Sequence, residues 1–316
     1  MNKTLKKVII GVAIAVAVVV LVLVGGSIYM VNFALSPAEY NEQEEFAKYR
    51  ETYPEMAVWL DSLNSVHALR DTSYIDSKGY RHFARFAFAD SATTKTAVLV
   101  HGYTDSSVMM LCIGEMYHHR LGFNILIPDL YAHGNSDGDA IRMGWLDRLD
   151  ILEWIRIANE IFGGNTQMVV HGVSMGAATT MMTSGENTPD FVKCFVEDCG
   201  YTSVWDQFGK ELKEDFHLPS FPLLNCSSLL CEILYDWNFK EASAIEQVKK
   251  CQKPMFFIHG DSDDYVITDY VYSLFEAKSE PKEMWIVPET DHAHSFRNHP
   301  QDYTQKVREF TQKYIK

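Results

Sequence analysis

The sequence predicts an α/β protein: a mostly parallel sheet with helices on both faces, preceded by one N-terminal transmembrane helix. Three observations predict it. From about residue 80 onward, short β-type runs alternate with helical ones, the pattern of strand–helix–strand units that build parallel sheets. Several of these runs are continuously apolar, as strands covered on both faces must be. Ahead of them, Lys3, Lys6 and Lys7 precede an uncharged stretch from Val8 to Leu35, densely apolar from Val8 to Val24.

That stretch exceeds the roughly 20 residues needed to cross a bilayer core. A cleaved secretory signal is the competing reading, but signal peptides usually carry an apolar region of only ~7–15 residues, and Val24-Gly25-Gly26 is only a passable cleavage site. Residues 1–35 are therefore expected to be an uncleaved signal anchor. Lysines before the span, with no basic cluster after it, put the N-terminus in the cytoplasm. The bulk of the chain is then extracytoplasmic, in the periplasm or outside the cell.

Residues 36–79 are expected to form a stalk helix and connector. Ser36-Pro37-Ala38-Glu39 matches a helix start, with Ser36 as N-cap, Pro37 at the first helical position and Glu39 at the third. Phe46, Tyr49, Met56, Trp59, Leu60 and Leu63 give it an irregular apolar stripe. The main domain, 80–316, offers candidate strands at 82–89, 97–100, 124–127, 168–170, 192–197, 255–258 and 284–287. Between them, Trp145 to Phe162 repeats its apolar residues at helical spacing. The aromatic-rich segment from about 201 to 240 has no clear strand and reads as a helical cap over the strand ends. A helix pair completing the core is its bland alternative.

Composition narrows the function. With 47% hydrophobic and 22% charged residues, the 316-residue chain has material for a sizeable core. A formal charge of −14 argues against nucleic acid, which needs clustered Lys and Arg. Six cysteines in an oxidising compartment allow Cys226/Cys231 or Cys194/Cys199 to pair. Cys112, Cys194 and Cys251, however, lie in or beside apolar runs and read as small buried hydrophobes. No Cys-x-x-Cys pair suggests structural zinc.

The chemistry-bearing residues follow strands, where active sites of parallel sheets lie. His171-Gly172-Val173-Ser174-Met175-Gly176 places Ser174 on a tight strand-to-helix turn, with glycines on both sides to make room. A nucleophilic serine needs a base, the base an orienting acid, and the developing oxyanion hydrogen-bond donors. After the strand at 255–258 come Asp261, Asp263 and Asp264, all candidates for the acid. That loop lacks the central Gly and bidentate Glu of an EF-hand. After the strand at 284–287 come His292 and His294, candidates for the base, with no third ligand placed to make them a metal site. The backbone amides of Tyr103, after Gly102, and Met175, at the helix start, are the candidate oxyanion donors.

The order serine, acid, histidine, each after its own strand, is that of the α/β-hydrolase fold, and further motifs make the resemblance specific. Asp129-Leu130-Tyr131-Ala132-His133-Gly134-Asn135-Ser136-Asp137-Gly138 resembles the Asp-x-x-Gly-His-Gly-x-Ser-x-Gly signature of many bacterial members, departing from it at Ala132. His259, Gly260, Asp263 and Val266 match the family's acid motif, which implies Asp263 rather than its neighbours. His292-Ala293-His294-Ser295 matches the His-Ala-x-Ser context, which implies His292 rather than His294. Over residues 80–316 the chain is similar to membrane-anchored bacterial α/β-hydrolases related to serine aminopeptidases and acylaminoacyl peptidases. The resemblance implies a serine hydrolase with Ser174, Asp263 and His292 as its triad and no metal or organic cofactor. The expected substrate is a carboxylic ester. A short peptide, or a thioester or acyl transfer, is the alternative on the same triad. The expected partners are that small molecule and, through residues 1–35, the membrane.

Overall fold

The computed structural model describes residues 3–316. In chain order the elements are α1 (Lys3–Leu35), α2 (Glu42–Thr52), α3 (Pro54–Ser65), β1 (Arg70–Ile75), β2 (Arg81–Ala87), β3 (Lys95–Val100), α4 (Leu111–Glu115, running into a π-helical turn at Met116–Arg120), β4 (Asn124–Asp129), α5 (Asp147–Ile161), β5 (Gln167–Val173), α6 (Met175–Ser184), β6 (Val192–Asp198), α7 (Val204–Glu214), α8 (Leu223–Tyr235), α9 (Ala244–Val248), β7 (Met255–Gly260), α10 (Asp269–Ala277), β8 (Lys282–Val287), α11 (Ser295–Asn298) and α12 (Pro300–Tyr314).

The eight strands form one sheet in the order β1-β2-β4-β3-β5-β6-β7-β8. The β1–β2 and β2–β4 pairs are antiparallel and the rest parallel. The chain steps from β3 out to β4, then crosses back over β3 to β5. The topology therefore reverses at β3, and the loops after β3 and β5 open into a crevice there. Both sheet faces are buried, and the pleat decides which residue goes where. Val98, Val100, Met168, Val170 and Phe257 pack with α5 and α6 on one face. Their neighbours Ala97, Leu99, Val169, Phe256 and Ile258 pack with α3, α4 and α12 on the other.

Two expectations need correction. The predicted stalk helix is two helices, and it does not start at Ser36. α1 runs to Leu35, and the Ser36 amide donates to the Asn32 carbonyl, closing that helix's last turn. Pro37 thus acts as a stop signal. The next N-cap is Asn41, whose side chain accepts from the amides of Gln43 and Glu44. Pro54 then splits the segment, because the residue before a proline is pushed out of the α region. Tyr53 sits there at φ −129°, ψ 61°. Both helices lie on the domain, with Tyr49, Trp59 and Leu60 buried in its core. The second correction is β1, which adds an edge strand inside the segment read as connector.

All six cysteines are free thiols, so neither proposed pairing forms.

Asp147, at the start of α5, is buried; one carboxylate oxygen accepts from the Gly144 amide at 2.9 Å and the other has no partner. Burial pushes its pKa from 3.8 up to about 6, against the pull of the Arg142 charge and the backbone hydrogen bonds. A carboxyl whose folded pKa is raised stabilises the fold below its unfolded pKa and loses that contribution as pH climbs to the folded value. Asp147→Asn keeps an acceptor for Gly144 and carries no charge. It should gain on the wild type by up to about 3 kcal/mol between pH 4 and pH 7, read as a growing difference in thermal or denaturant midpoint. A constant difference across that range would show that Asp147 ionises freely.

Candidate active site

The turn between β5 and α6 is set by its glycines. A Cβ on Gly172 would lie 2.0 Å from the Gly176 carbonyl oxygen, and one on Gly176 would lie 2.0 Å from the Val100 carbonyl oxygen. Between them Ser174 is held at φ 58°, ψ −121°, a conformation that costs roughly 1–3 kcal/mol and persists only where surroundings enforce it. The enforcement comes from β6 and α6. The Ser174 amide donates to the Asp198 carbonyl at 2.8 Å, and the Ser174 carbonyl accepts from Ala178 at 3.0 Å.

Ser174 Oγ lies 2.8 Å from His292 Nε2. His292 Nδ1 lies 2.7 Å from Asp263 Oδ2. The other oxygen of Asp263 accepts from the amides of Tyr265 (3.1 Å) and Val266 (2.9 Å). His259 Nε2 donates to the Val266 carbonyl at 2.7 Å and lies 3.3 Å from Asp263 Oδ2. Burial by itself would raise the Asp263 pKa. Hydrogen bonds from His259 and His292, with their charges, outweigh it and hold the carboxyl at about 2. The structure thus brings together Ser174, Asp263 and His292 from three loops. It leaves the rival candidates apart: Asp261 and Asp264 are exposed, and His294 pairs with Asp291 on the surface at 2.6 Å.

Tyr103 and Met175 flank Ser174 in the wall of one cavity. A Cβ on Gly102 would lie 3.4 Å from that of Ser174, so the loop after β3 approaches the nucleophile closely. This loop is fixed by the 129–138 motif. Asp129 accepts from the amides of Ser107 (2.6 Å) and Asn135 (2.8 Å), and His133 Nε2 accepts from the Thr104 amide at 3.2 Å. His101 Nε2 accepts from Leu130 at 2.9 Å. Burial lowers the pKa of His101 to about 4 and of His133 to about 3, so both stay neutral and able to accept. Ala132, the departure from the family signature, has φ +62°, which explains why glycine is common there.

Sequence reasoning missed Asp198. Its carbonyl holds Ser174, while its carboxylate accepts from Ser295 (2.9 Å) on the histidine loop and from Tyr303 (3.0 Å) on α12. One residue therefore ties the nucleophile turn to the base loop. Its position at the end of β6 was a signal, but its partners lie about 100 residues away. Cys199, Asp263 and His292 bring ligand atoms within 4.8 Å of one another. Burial holds the Cys199 thiol well above its usual pKa, in the protonated form that ligates metal poorly, and the other two are bonded to each other.

α7 and α8 close over the strand ends, where the 201–240 segment was expected to lie. With Ser174 they enclose a cavity of about 410 Å³, lined mainly by apolar side chains such as Phe208, Leu212, Phe216 and Leu224. Met30, Phe33 and Ala34 of α1 complete the lining. Of the acidic residues on the cap, Asp206 lies in the first turn of α7, where its amide donates to the hydroxyl of the N-cap Ser203 and its carboxylate accepts from the hydroxyls of Thr202 and Ser203. Glu214 pairs with Lys210 at 2.6 Å. Glu211 and Asp215 reach the cavity, Glu211 also meeting Lys210 at 3.2 Å.

The family model of the Prolyl oligopeptidase family matches residues 143–316, more than half of the chain. A relative from Bacillus subtilis (strain 168), described as the uncharacterized protein YqkD, is 26% identical over 79% of this chain and 82% of its own length. Among solved structures, the Pyrococcus furiosus esterase Pf2001 superposes with a TM-score of 0.62 at 22% identity, over 78% of this chain and 93% of that one. An acylaminoacyl peptidase from Pyrococcus horikoshii superposes with a TM-score of 0.57 at 14% identity, over 79% of this chain and 42% of that one.

Proposed function

The chain belongs to the prolyl oligopeptidase family and is a serine hydrolase of the α/β-hydrolase fold, and from that premise we propose that it cleaves a carboxylic ester through an acyl-enzyme on Ser174. The observation that carries the reading is the hydrogen-bonded line Ser174–His292–Asp263 opening into an apolar cavity. His292 Nε2 takes the Ser174 proton as Oγ attacks the ester carbonyl. Asp263 keeps Nδ1 protonated and stabilises the imidazolium. The amides of Tyr103 and Met175 hold the oxyanion. The alkoxide leaves with the proton from His292, and water, deprotonated by the same nitrogen, releases the acid and restores Ser174. Ester cleavage needs nothing more than these groups.

Peptide cleavage from a free N-terminus has one observation in its favour, the carboxylates of Glu211 and Asp215 at the cavity wall. A panel of p-nitrophenyl esters and amino-acid p-nitroanilides decides between the two. We expect kcat/KM for the best ester to exceed that for the best anilide by at least about 100-fold, or ~3 kcal/mol of transition-state stabilisation. Preference for the anilide would reverse the assignment to an aminopeptidase.

The same reading takes 1–35 as a membrane anchor, 36–79 as the connector that lends β1 to the sheet, and 80–316 as the catalytic domain with its cap at 201–240. α1 is long and apolar enough to cross a membrane. Its last third packs into the domain, with Ser27, Val31 and Leu35 buried. α1 runs as one unbroken helix through Gly25-Gly26 to the buried Ser27, which supports an uncleaved anchor. With the lysines at the cytoplasmic end, the catalytic domain is extracytoplasmic.

A further inference from the structure

Where α1 leaves the bilayer decides what the cavity can take. A bilayer core about 30 Å thick is crossed by roughly 20 helical residues at ~1.5 Å each. Counted from Val8, after the last lysine, the span ends near Ser27. Ser27 is also the first residue of α1 to be buried by the domain. From there the helix is part of the active-site wall. Phe33 meets Phe216 edge-on at 5.4 Å between ring centroids, and Met30, Phe33 and Ala34 line the cavity. The Ala34 carbonyl accepts from the Tyr103 hydroxyl at 2.9 Å, and the Leu35 carbonyl from the Ile141 amide at 2.8 Å. No spacer separates membrane from catalytic domain.

The cap helix beside this exit is built for the same surface. α8 is short and apolar, with Glu232 its one charged residue. Leu223 at its start comes within 3.1 Å of a Cβ built on Gly26. Its outer side exposes Leu229 (58%), Ile233 (69%) and Leu234 (55%), and the turn before it exposes Phe221 (76%). Four large apolar side chains on a soluble surface are costly. Beside a helix emerging from lipid they can bury in the acyl–headgroup boundary.

From these observations we infer that the cap sits in the outer membrane–water interface and that the substrate is a long-chain acyl ester delivered from the bilayer, its chain filling the cavity between α1 and the cap. The inference rests on the ester-hydrolase and anchor readings above and adds the substrate class. The acyl chain occupies the apolar wall, the ester carbonyl meets Ser174, and the polar alcohol part stays on the aqueous side.

The test uses the full-length protein reconstituted in phosphatidylcholine vesicles, with p-nitrophenyl palmitate and p-nitrophenyl butyrate as probes. In vesicles the palmitate ester should be turned over with kcat/KM at least about tenfold above the butyrate ester, since each buried methylene favours binding. The double variant L229E/I233E, altered only on the exposed cap surface, should lower that palmitate-to-butyrate ratio at least about fivefold. Ala34→Phe, which narrows the cavity wall, should shift preference toward the short chain in vesicles and in detergent alike. Butyrate turned over as well as palmitate, or a ratio indifferent to L229E/I233E, would overturn the inference while leaving the ester-hydrolase reading intact. Hydrolysis of neither ester, with Ser174 unlabelled by a fluorophosphonate, would overturn both.

Discussion

Ser174→Ala should abolish ester hydrolysis, lowering kcat by roughly 10⁶-fold, while leaving the fold intact. The nucleophile is the one atom of the site with no substitute. On the proposed mechanism, His292 without Ser174 Oγ at 2.8 Å can still act as a base toward water, and the amides of Tyr103 and Met175, as the proposed oxyanion donors, can still polarise a carbonyl. Those surviving groups account for a remaining rate some 10³-fold over water. The backbone cost at φ 58°, ψ −121° falls on alanine as on serine, because both carry a Cβ, so the turn is neither relieved nor newly strained. The change removes one partly buried hydrogen bond, and stability should move by about 1 kcal/mol or less. Labelling by a fluorophosphonate should disappear with activity, at an unchanged thermal midpoint. Labelling that survives in Ser174→Ala would place the nucleophile elsewhere and remove the basis of the whole mechanism.

What could be read from the chain was whatever is local. The strands that became β3 to β7 are short apolar runs, and each candidate site residue stands within a few positions of a strand end. Edge strand β1 was invisible because only one of its faces meets the protein. Its run Arg70-Asp71-Thr72-Ser73-Tyr74-Ile75 carries mostly polar residues, and the pairing to β2 makes it a strand. Ser36-Pro37-Ala38-Glu39 satisfied a helix-start pattern, yet the same proline equally well ends α1. Such signals report only that a boundary is near. The entry of α1 into the cavity could not be read at all. Nothing in Met30, Phe33 or Ala34 distinguishes a residue facing lipid from one facing Ser174, because both surroundings are apolar. The Asp198 tie between the nucleophile and base loops was hidden for the complementary reason. Its partners Ser295 and Tyr303 are chemically ordinary, and only the fold brings them together.

Asp263→Asn should cost about 10⁴-fold in kcat, with the geometry of the site preserved. The new side chain can keep its carbonyl oxygen toward the amides of Tyr265 and Val266, from which Asp263 accepts at 3.1 and 2.9 Å. Its amide nitrogen then faces His292 Nδ1 and donates where the carboxylate accepted. The imidazole must turn to the tautomer protonated on Nε2, which presents a proton to Ser174 instead of a lone pair. The base is lost without any side chain moving. No charge remains beside the imidazolium that forms during attack. The effect should be nearly constant across the working range, because Asp263, with a pKa held at about 2, is ionised throughout it. Stability follows a different window. A carboxyl with a depressed folded pKa contributes stability above its unfolded pKa of 3.8, and that contribution is lost as pH falls through about 2. The wild type should therefore lead the variant in thermal midpoint at pH 5 and converge on it as acid is added. Asp261→Asn and Asp264→Asn, both on the exposed side of the same loop, should stay within a factor of about three of the wild-type rate. A loss shared equally among the three aspartates would mean that the loop's collective charge, rather than one oriented carboxylate, supports His292.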